Sequence, residues 1–287
     1  MATMKAIKKR ILSVNNTKKI MKAMDLVAAS KLQKARGRFE DVLPLCDNIK
    51  LVMEGIKASI RTDDEVKYAE DREVKSIAYI VLTSDRGLCG GYNVNVAKEA
   101  LACIKENEDK TEKIIAVGLK GADYFRRREK NVVQRRLGAS EATTFEDAEE
   151  IGAQVASMYE SGEADEVYLV YTHFESILSH SPKVEKLLPI RRTHSEGDSS
   201  GTEEMSYDPD IGTFISHAVP LYLNVTIFGA MLESALCEYA SRMTSMDSAS
   251  RNASDIIEDL TLEFNRKRQG LITQEITEIV SGANALK

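Results

Sequence analysis

The chain has 287 residues, enough for two domains or for one domain with a long appendage. Hydrophobic residues make up 43% and charged residues 29%, the balance of a folded, water-facing protein, and no apolar run reaches the length of a membrane span. The net charge of −6 is unevenly spread: residues 1–38 carry eleven Lys or Arg against one acid, Asp25. A basic end on an acidic chain implies an acidic partner for that end, either nucleic acid or an acidic protein surface.

The opening "MATMKAIKKR" lacks the apolar core of a signal peptide. From there a row of residues repeats in alternating steps of three and four. It runs through Met4, Ile7, Ile11, Val14, Lys18, Met21, Asp25, Ala28, Leu32, Ala35, Phe39, Val42, Cys46, Ile49, Met53, Ile56 and Ile60. Only Lys18 and Asp25 break its apolar character. A 3.5-residue repeat this long predicts a coiled-coil helix over 1–60, roughly 80 Å long at the α-helical rise. Pro44 is expected to bend or weaken it locally.

The middle reads differently. "VKSIAYIVLT" (74–83) predicts a strand and "VNVAKEALACIKE" a helix. "KIIAVG" (113–118) predicts a second strand, "GADYFRRRE" a short helix, and "NVV" a weak strand. "FEDAEEIGAQVASMYES" (145–161) predicts a third helix, with further strands at "EVYLVYTHF" (166–174) and "KVEKLLPI" (183–190). Alternating β and α segments over 74–192 argue for a Rossmann-like open α/β sheet. The polar segment 193–210 predicts a mobile loop.

The last segment, 211–287, predicts a second coiled-coil helix approaching about 100 Å. Its row is Phe228, Leu232, Ala235, Tyr239, Met243, Met246, Ser250, Ala253, Ile257, Leu260, Phe264 and Leu271, with a stutter at Tyr239 and Met243. The two terminal helices can pair antiparallel. The second is the longer, so part of it must run alone. That part carries Leu271, Ile272, Ile276, Ile279, Val280 and Leu286, and a lone helix with such a surface needs a hollow or groove to sheath it.

The loop "SDRGLCGGYN" (84–93) between the first strand and helix could be a phosphate cradle. Its glycines, Gly87, Gly90 and Gly91, fit neither G-x-G-x-x-G nor the GK[ST] ending of a P-loop. The reading favoured is a tight turn, with glycines at positive φ or at close backbone approaches. Asp85 and Arg86 could hold that turn or face a partner. The four histidines, His173, His180, His194 and His217, show no ligand spacing. Cys46, Cys89, Cys103 and Cys237 form no CxxC pair, which fits a reducing compartment and argues against a zinc site. The runs "RRRE" (126–129) and "RR" (135–136) read as a solvated face. No nucleophile elbow or dyad is evident, so no catalytic, cofactor or metal residue is assigned. Two rival readings stay open: an α/β nucleotide-binding enzyme with helical arms, and a nucleic-acid-binding coiled coil using Lys8, Lys9 and Arg10.

Four segments carry a resemblance: "NTKKIMKAMDLVAASKL", "TSDRGLCGGYN", "ASRMTSMDSASRNA" and "ITQEITEIVSGANAL". Together they resemble the gamma-subunit family of the F-type ATP synthases, from end to end. The resemblance implies a long antiparallel two-helix coiled coil standing inside a ring of three alpha and three beta subunits. The α/β domain would lie beside the epsilon subunit and on the c ring, with one copy per complex and no nucleic-acid partner. It implies a non-catalytic rotor, coupling ion flow through the c ring to conformational cycling of catalytic beta subunits, or ATP-driven ion pumping in reverse. The expected location is peripheral, on the cytoplasmic side of a bacterial inner membrane.

The resemblance also assigns contacts. Met24, Arg242, Arg268, Gln269, Thr273 and Glu275 match positions that meet the alpha and beta subunits. Tyr207 and Asp208 match a region that meets the c ring and epsilon. The segment 193–210 lacks the dithiol of chloroplast members.

Overall fold

A computed structural model describes residues 3–59, 67–69, 72–137, 143–190 and 211–285. The expected loop 193–210, with Tyr207 and Asp208, lies outside them. The helices are α1 (Met4–Ser59), α2 (Tyr92–Glu106), α3 (Leu119–Arg126), α4 (Phe145–Glu160) and α5 (Ile211–Ala285). The strands are β1 (Ser76–Leu82), β2 (Thr111–Val117), β3 (Val132–Arg136), β4 (Glu166–Phe174) and β5 (His180–Leu188). The chain divides into two compact units. One joins Met1–Ala29 to Arg242–Lys287, and the other is Ser30–Ser241.

The larger unit is built on a five-stranded sheet of order β3-β2-β1-β4-β5. β1, β2, β3 and β4 run parallel, and β5 joins antiparallel to β4. Every residue of β1 is buried, as an interior strand covered on both faces requires, which explains its continuous apolar run. Ile77, Tyr79 and Val81 point to a core made with α2 and α3. Ala78, Ile80 and Leu82 point to the opposite core, made with α4, the end of α1 and the start of α5. β3 and β5 lie at the sheet margins. A register shift between Ile114 and Ile115 leaves Val133 bulged on β3, and Pro182 occurs on β5 where an edge tolerates a missing N–H. Thr144 and Asp147 close α4 with a reciprocal capping box.

Arg72 fastens the entry to β1. It donates to the carbonyls of Tyr159 and Ala164, each at 2.8 Å, pairs with Asp165 at 3.2 Å and stacks on the Tyr159 ring. Asp165 in turn accepts the backbone N–H groups of Lys75 and Ser76. Burial alone would raise the Asp165 carboxyl. These amides and the Arg72 charge outweigh it and hold the carboxyl below its ordinary range.

The heptad row is expressed in burial. Each described member on α1, Met4 through Ile56, is buried or half-buried, while Leu12, Ile20, Leu26 and Val27 on other faces are exposed. Asp25 is only 8% exposed although charged, with Lys22 as its ion partner at 2.7 Å. In the larger unit Lys31 lies over the Tyr239 ring and the Cys46 thiol reaches the Val225 carbonyl, so later residues of α1 meet earlier residues of α5. The two helices are therefore antiparallel there. In the smaller unit Lys22 feels the charges of Asp247 and Arg251.

α1 continues as helix through Pro44, and α5 through Pro220, so the expected weakening at Pro44 does not end the helix. α5 contains an 18-residue window apolar enough by composition to cross a membrane, but 61% of that window is buried inside the protein. Residues 230–241 of α5 are buried without interruption between the sheet and α1.

Candidate functional site

Two places were marked by the sequence, the glycine loop and the end of α5. The loop connects β1 to α2 in the larger unit and packs against the start of α3. Its residues take up the free N–H groups of that helix in order. Asp85 Oδ1 accepts from Leu119 N at 2.9 Å, Ser84 O from Lys120 N at 3.0 Å, and Thr83 Oγ1 from Gly121 N at 2.9 Å. A helix N-terminus is where a bound phosphate would receive such bonds. Here the chain's own carboxylate, carbonyl and hydroxyl have taken them. Asn93 ties the loop from the other side, accepting from Ser84 N at 2.8 Å.

The crevice at the carboxyl ends of the strands, where an open α/β sheet ordinarily binds ligands, is also filled. Tyr92, Cys89 and Cys237 pack into a small buried cluster with Phe174. Burial pushes the Tyr92 phenol well above its ordinary pKa. The void left beside Tyr92, Thr83 and Met231 is about 10 Å³, room for a water at most.

Of the three loop glycines only Gly90 has a positive φ, 55°. Leu88, not a glycine, takes the other left-handed position at 63°. The closest backbone approach is instead at Gly118, where a Cβ would stand 2.2 Å from the Thr83 carbonyl oxygen. Gly118 and Gly121 were not singled out in the sequence, since neither lies in a recognisable pattern.

A cleft of about 260 Å³ opens between α1, α5 and the β4–β5 pair, lined by Phe39, Cys46, Tyr171, Lys183 and Glu233 among others. Its charges are largely engaged within the protein. Glu233 receives His173 and the N–H of Phe174, and Lys183 lies 3.6 Å from Glu185. Among the described residues no three His, Cys, Asp or Glu side chains gather as metal ligands would.

The end of α5 is the more telling surface. Buried or half-buried seam positions persist to Lys267, and residues 268–284 are then exposed at every position. Ile272, Ile276, Ile279 and Val280 fall at steps that place them along one stripe, with Leu271 beside it, each 47–71% exposed. Arg268, Gln269, Thr273 and Glu275 lie on this same exposed stretch. Thr273 spends its hydroxyl on the Gln269 carbonyl at 2.9 Å. Met24 and Arg242 are half-buried and belong to the same unit, but Arg242 is 26 residues from Arg268 on one helix, roughly 39 Å away. The assigned residues thus form no single cluster. Those among the described residues are strung along helices.

The sequence as a whole decides the family. A profile described as ATP synthase matches residues 3–286. The ATP synthase gamma chain of Alkaliphilus metalliredigens is 43% identical, the match covering 99% of each chain.

The chain belongs to the ATP synthase gamma-chain family.

A gamma chain of Acetobacterium woodii described as sodium ion specific is 39% identical, over 98% of this chain and 97% of that one. The family fold recurs in a chain from the Euglena gracilis mitochondrial ATP synthase assembly of OSCP, F1 and c-ring. There the TM-score is 0.68 at 18% identity, over 99% of this chain and 94% of that one. The segments "TSDRGLCGGYN" and "ITQEITEIVSGAN" differ in burial: in the first Thr83, Ser84, Cys89 and Tyr92 are buried while Arg86, Leu88, Gly90 and Gly91 are exposed, and the second is exposed throughout.

Proposed function

We propose that this chain is the central rotor shaft of an F-type ATP synthase, coupling ion flow through a c ring to the conformational cycle of the catalytic subunits. The observation that carries the reading is the bare end of α5 with its apolar stripe, in a chain of the gamma family. An asymmetric shaft cannot touch three surrounding beta subunits equally. Each rotor angle favours a different conformation at each site, so rotation shifts their populations in turn. The shaft itself performs no chemistry. Its glycine loop is internally satisfied, and the proposal assigns nucleotide binding to the ring.

The proposed partners are an alpha3beta3 hexamer around the coiled coil, and epsilon and the c ring around the α/β domain, with one copy per complex. The proposed location is peripheral, on the cytoplasmic side of a bacterial inner membrane. Segments 1–60 and 211–287 would form the shaft, 74–192 the domain and 193–210 a loop. Met24, Arg242, Arg268, Gln269, Thr273 and Glu275 are proposed to meet the ring, and Tyr207 and Asp208 the c ring and epsilon. Arginine suits such a contact because its fork bridges carboxylates and carbonyls.

Affinity capture of the chain from its own membranes at low salt, with ATPase assayed on the eluate and on the chain alone, tests this. Co-elution of two larger subunits, with activity only in the complex, is expected. A chain that elutes alone and binds nucleotide at micromolar affinity, lost on mutating Gly90 and Gly91, would overturn it.

A further inference from the structure

The β4–β5 hairpin meets α5 through two histidines. His173 Nδ1 lies 2.6 Å from Glu233 Oε1, which also accepts the Phe174 N–H at 2.9 Å. His180 Nε2 lies 2.7 Å from the Ser241 hydroxyl. Glu233, Cys237 and Ser241 are spaced by four, so they share one stripe of α5, and the Cys237 thiol reaches the Thr172 carbonyl between the two histidine contacts. Beyond this stripe the turn is locked by its own side chains: Ser179 and Ser181 both donate to the Glu175 carboxylate.

The other nitrogen of His180, Nδ1, is buried and has no hydrogen-bond partner. We assign the tautomer from this, because an orphaned buried N–H is rarer than an under-satisfied acceptor. A proton on Nδ1 would be a buried donor without an acceptor, so the neutral ring carries its hydrogen on Nε2 and donates to Ser241. A second proton can only go to Nδ1. The latched position therefore holds a neutral imidazole and rejects an imidazolium.

We propose that His180 is an acid-releasable latch, holding the β4–β5 hairpin against α5 when neutral and letting it go when protonated. Around it, burial favours the neutral ring and one carboxylate opposes it. Burial lowers the His180 pKa, and Glu175 in the turn pulls the other way without overcoming it. Glu175 is already engaged by Ser179 and Ser181, and Glu233 by His173 and Phe174. From α5 the contact itself is the uncharged Ser241. The sign follows. The folded pKa is depressed, so the latch contributes fully above the free histidine value of about 6.5 and weakens as pH falls below it.

Hydrogen exchange on the full chain, read as protection of the segment 174–181 between about pH 8 and about pH 5, tests this. Wild type should lose protection by up to about tenfold per pH unit below the free histidine value. His180→Gln keeps a donor near Ser241 without titrating, and its protection should be flat with pH. His173→Gln should retain the pH dependence. Ser241→Ala should be loose throughout. A histidine NMR titration of the unmutated chain gives an independent readout: His180 should show the Nε2–H tautomer and titrate below the ordinary value. Unchanged wild-type protection across the range, equal loss in His180→Gln, or an unshifted His180 titration would each overturn the latch.

Discussion

The carboxylate of Asp85 accepts the backbone N–H of Leu119 at 2.9 Å, across 34 residues of sequence. One short loop thereby caps a helix that belongs to the next β-α unit. Removing the acceptor in Asp85→Ala should cost about 1 kcal/mol of domain stability, the usual worth of such a cap, and Asp85→Asn should recover most of it. Equilibrium unfolding of the chain measures both. A stability unchanged in the alanine variant would mean that the cap does not hold the loop.

Gly118 offers a harsher test of the same joint. Its φ is 97°, and an added Cβ would meet the Thr83 backbone. Gly118→Ala should destabilise the domain by about 3 kcal/mol or more, because strain and overlap add. Gly87→Ala, where only the end of the Lys120 side chain is near, should be almost neutral. A pair of variants that unfold at the same denaturant concentration would refute this account of the loop.

Acid should act on the sheet through Asp165. Its carboxyl is depressed below the unfolded value of about 3.9, so the stability it contributes is complete above that pH and is lost as pH falls through the lower folded value. Asp165→Asn should be less stable at neutral pH and flatter in acid. Arg72→Ala should cost about 3 kcal/mol, since Asp165 keeps its charge while losing its ion partner. Denaturation curves collected across the acid range distinguish the two.

On the shaft, Arg268→Leu together with Gln269→Leu should lower ATP synthesis in membranes by about tenfold, the worth of one charge-assisted hydrogen bond, while the melting of the isolated chain stays put. Both residues are exposed on α5, so a folding defect is not expected. Normal synthesis in the double variant would remove these two residues from the proposed ring contact.

Asp25 sits in the apolar row at 8% exposure, with Lys22 as partner. Asp25→Leu should stabilise the helix pair by about 1–2 kcal/mol, as replacing a polar seam residue by an apolar one does, at the expense of register. Chemical denaturation checks the first part, and cysteine cross-linking across the seam the second.

Much of this fold was legible because its signals are local. The 3–4 spacing from Met4 to Ile56 predicted which residues would be shielded, and the strand at 166–174 matches β4 residue for residue. Edges were harder. β5 starts at His180, three residues before the expected Lys183, because polar "HSP" at a sheet margin lacks the apolar content that marks a strand. β3 extends to Arg136 for the same reason, and the residues expected as a solvated "RR" face include Arg136, which pairs with Asp147 and Glu150 on α4. The Gly118–Thr83 approach and the His173–Glu233 and His180–Ser241 contacts join residues 35 to 61 apart. No spacing rule reaches that far, so tertiary packing alone reveals them. The exposed end of α5 was foreseen by comparing helix lengths. Its assigned contact residues were available only through family resemblance, because an exposed Arg or Gln on a helix carries no mark of its partner.

The bare stretch 268–284 also bears on how the chain must be made. Until a partner sheathes it, a newly synthesised molecule carries an adhesive tip of Leu271, Ile272, Ile276, Ile279 and Val280. Copies produced faster than their enclosing subunits should stick to one another or be cleared by proteases. On the proposed rotor assignment, the cell then has reason to match output of this chain to the supply of the subunits that would enclose it.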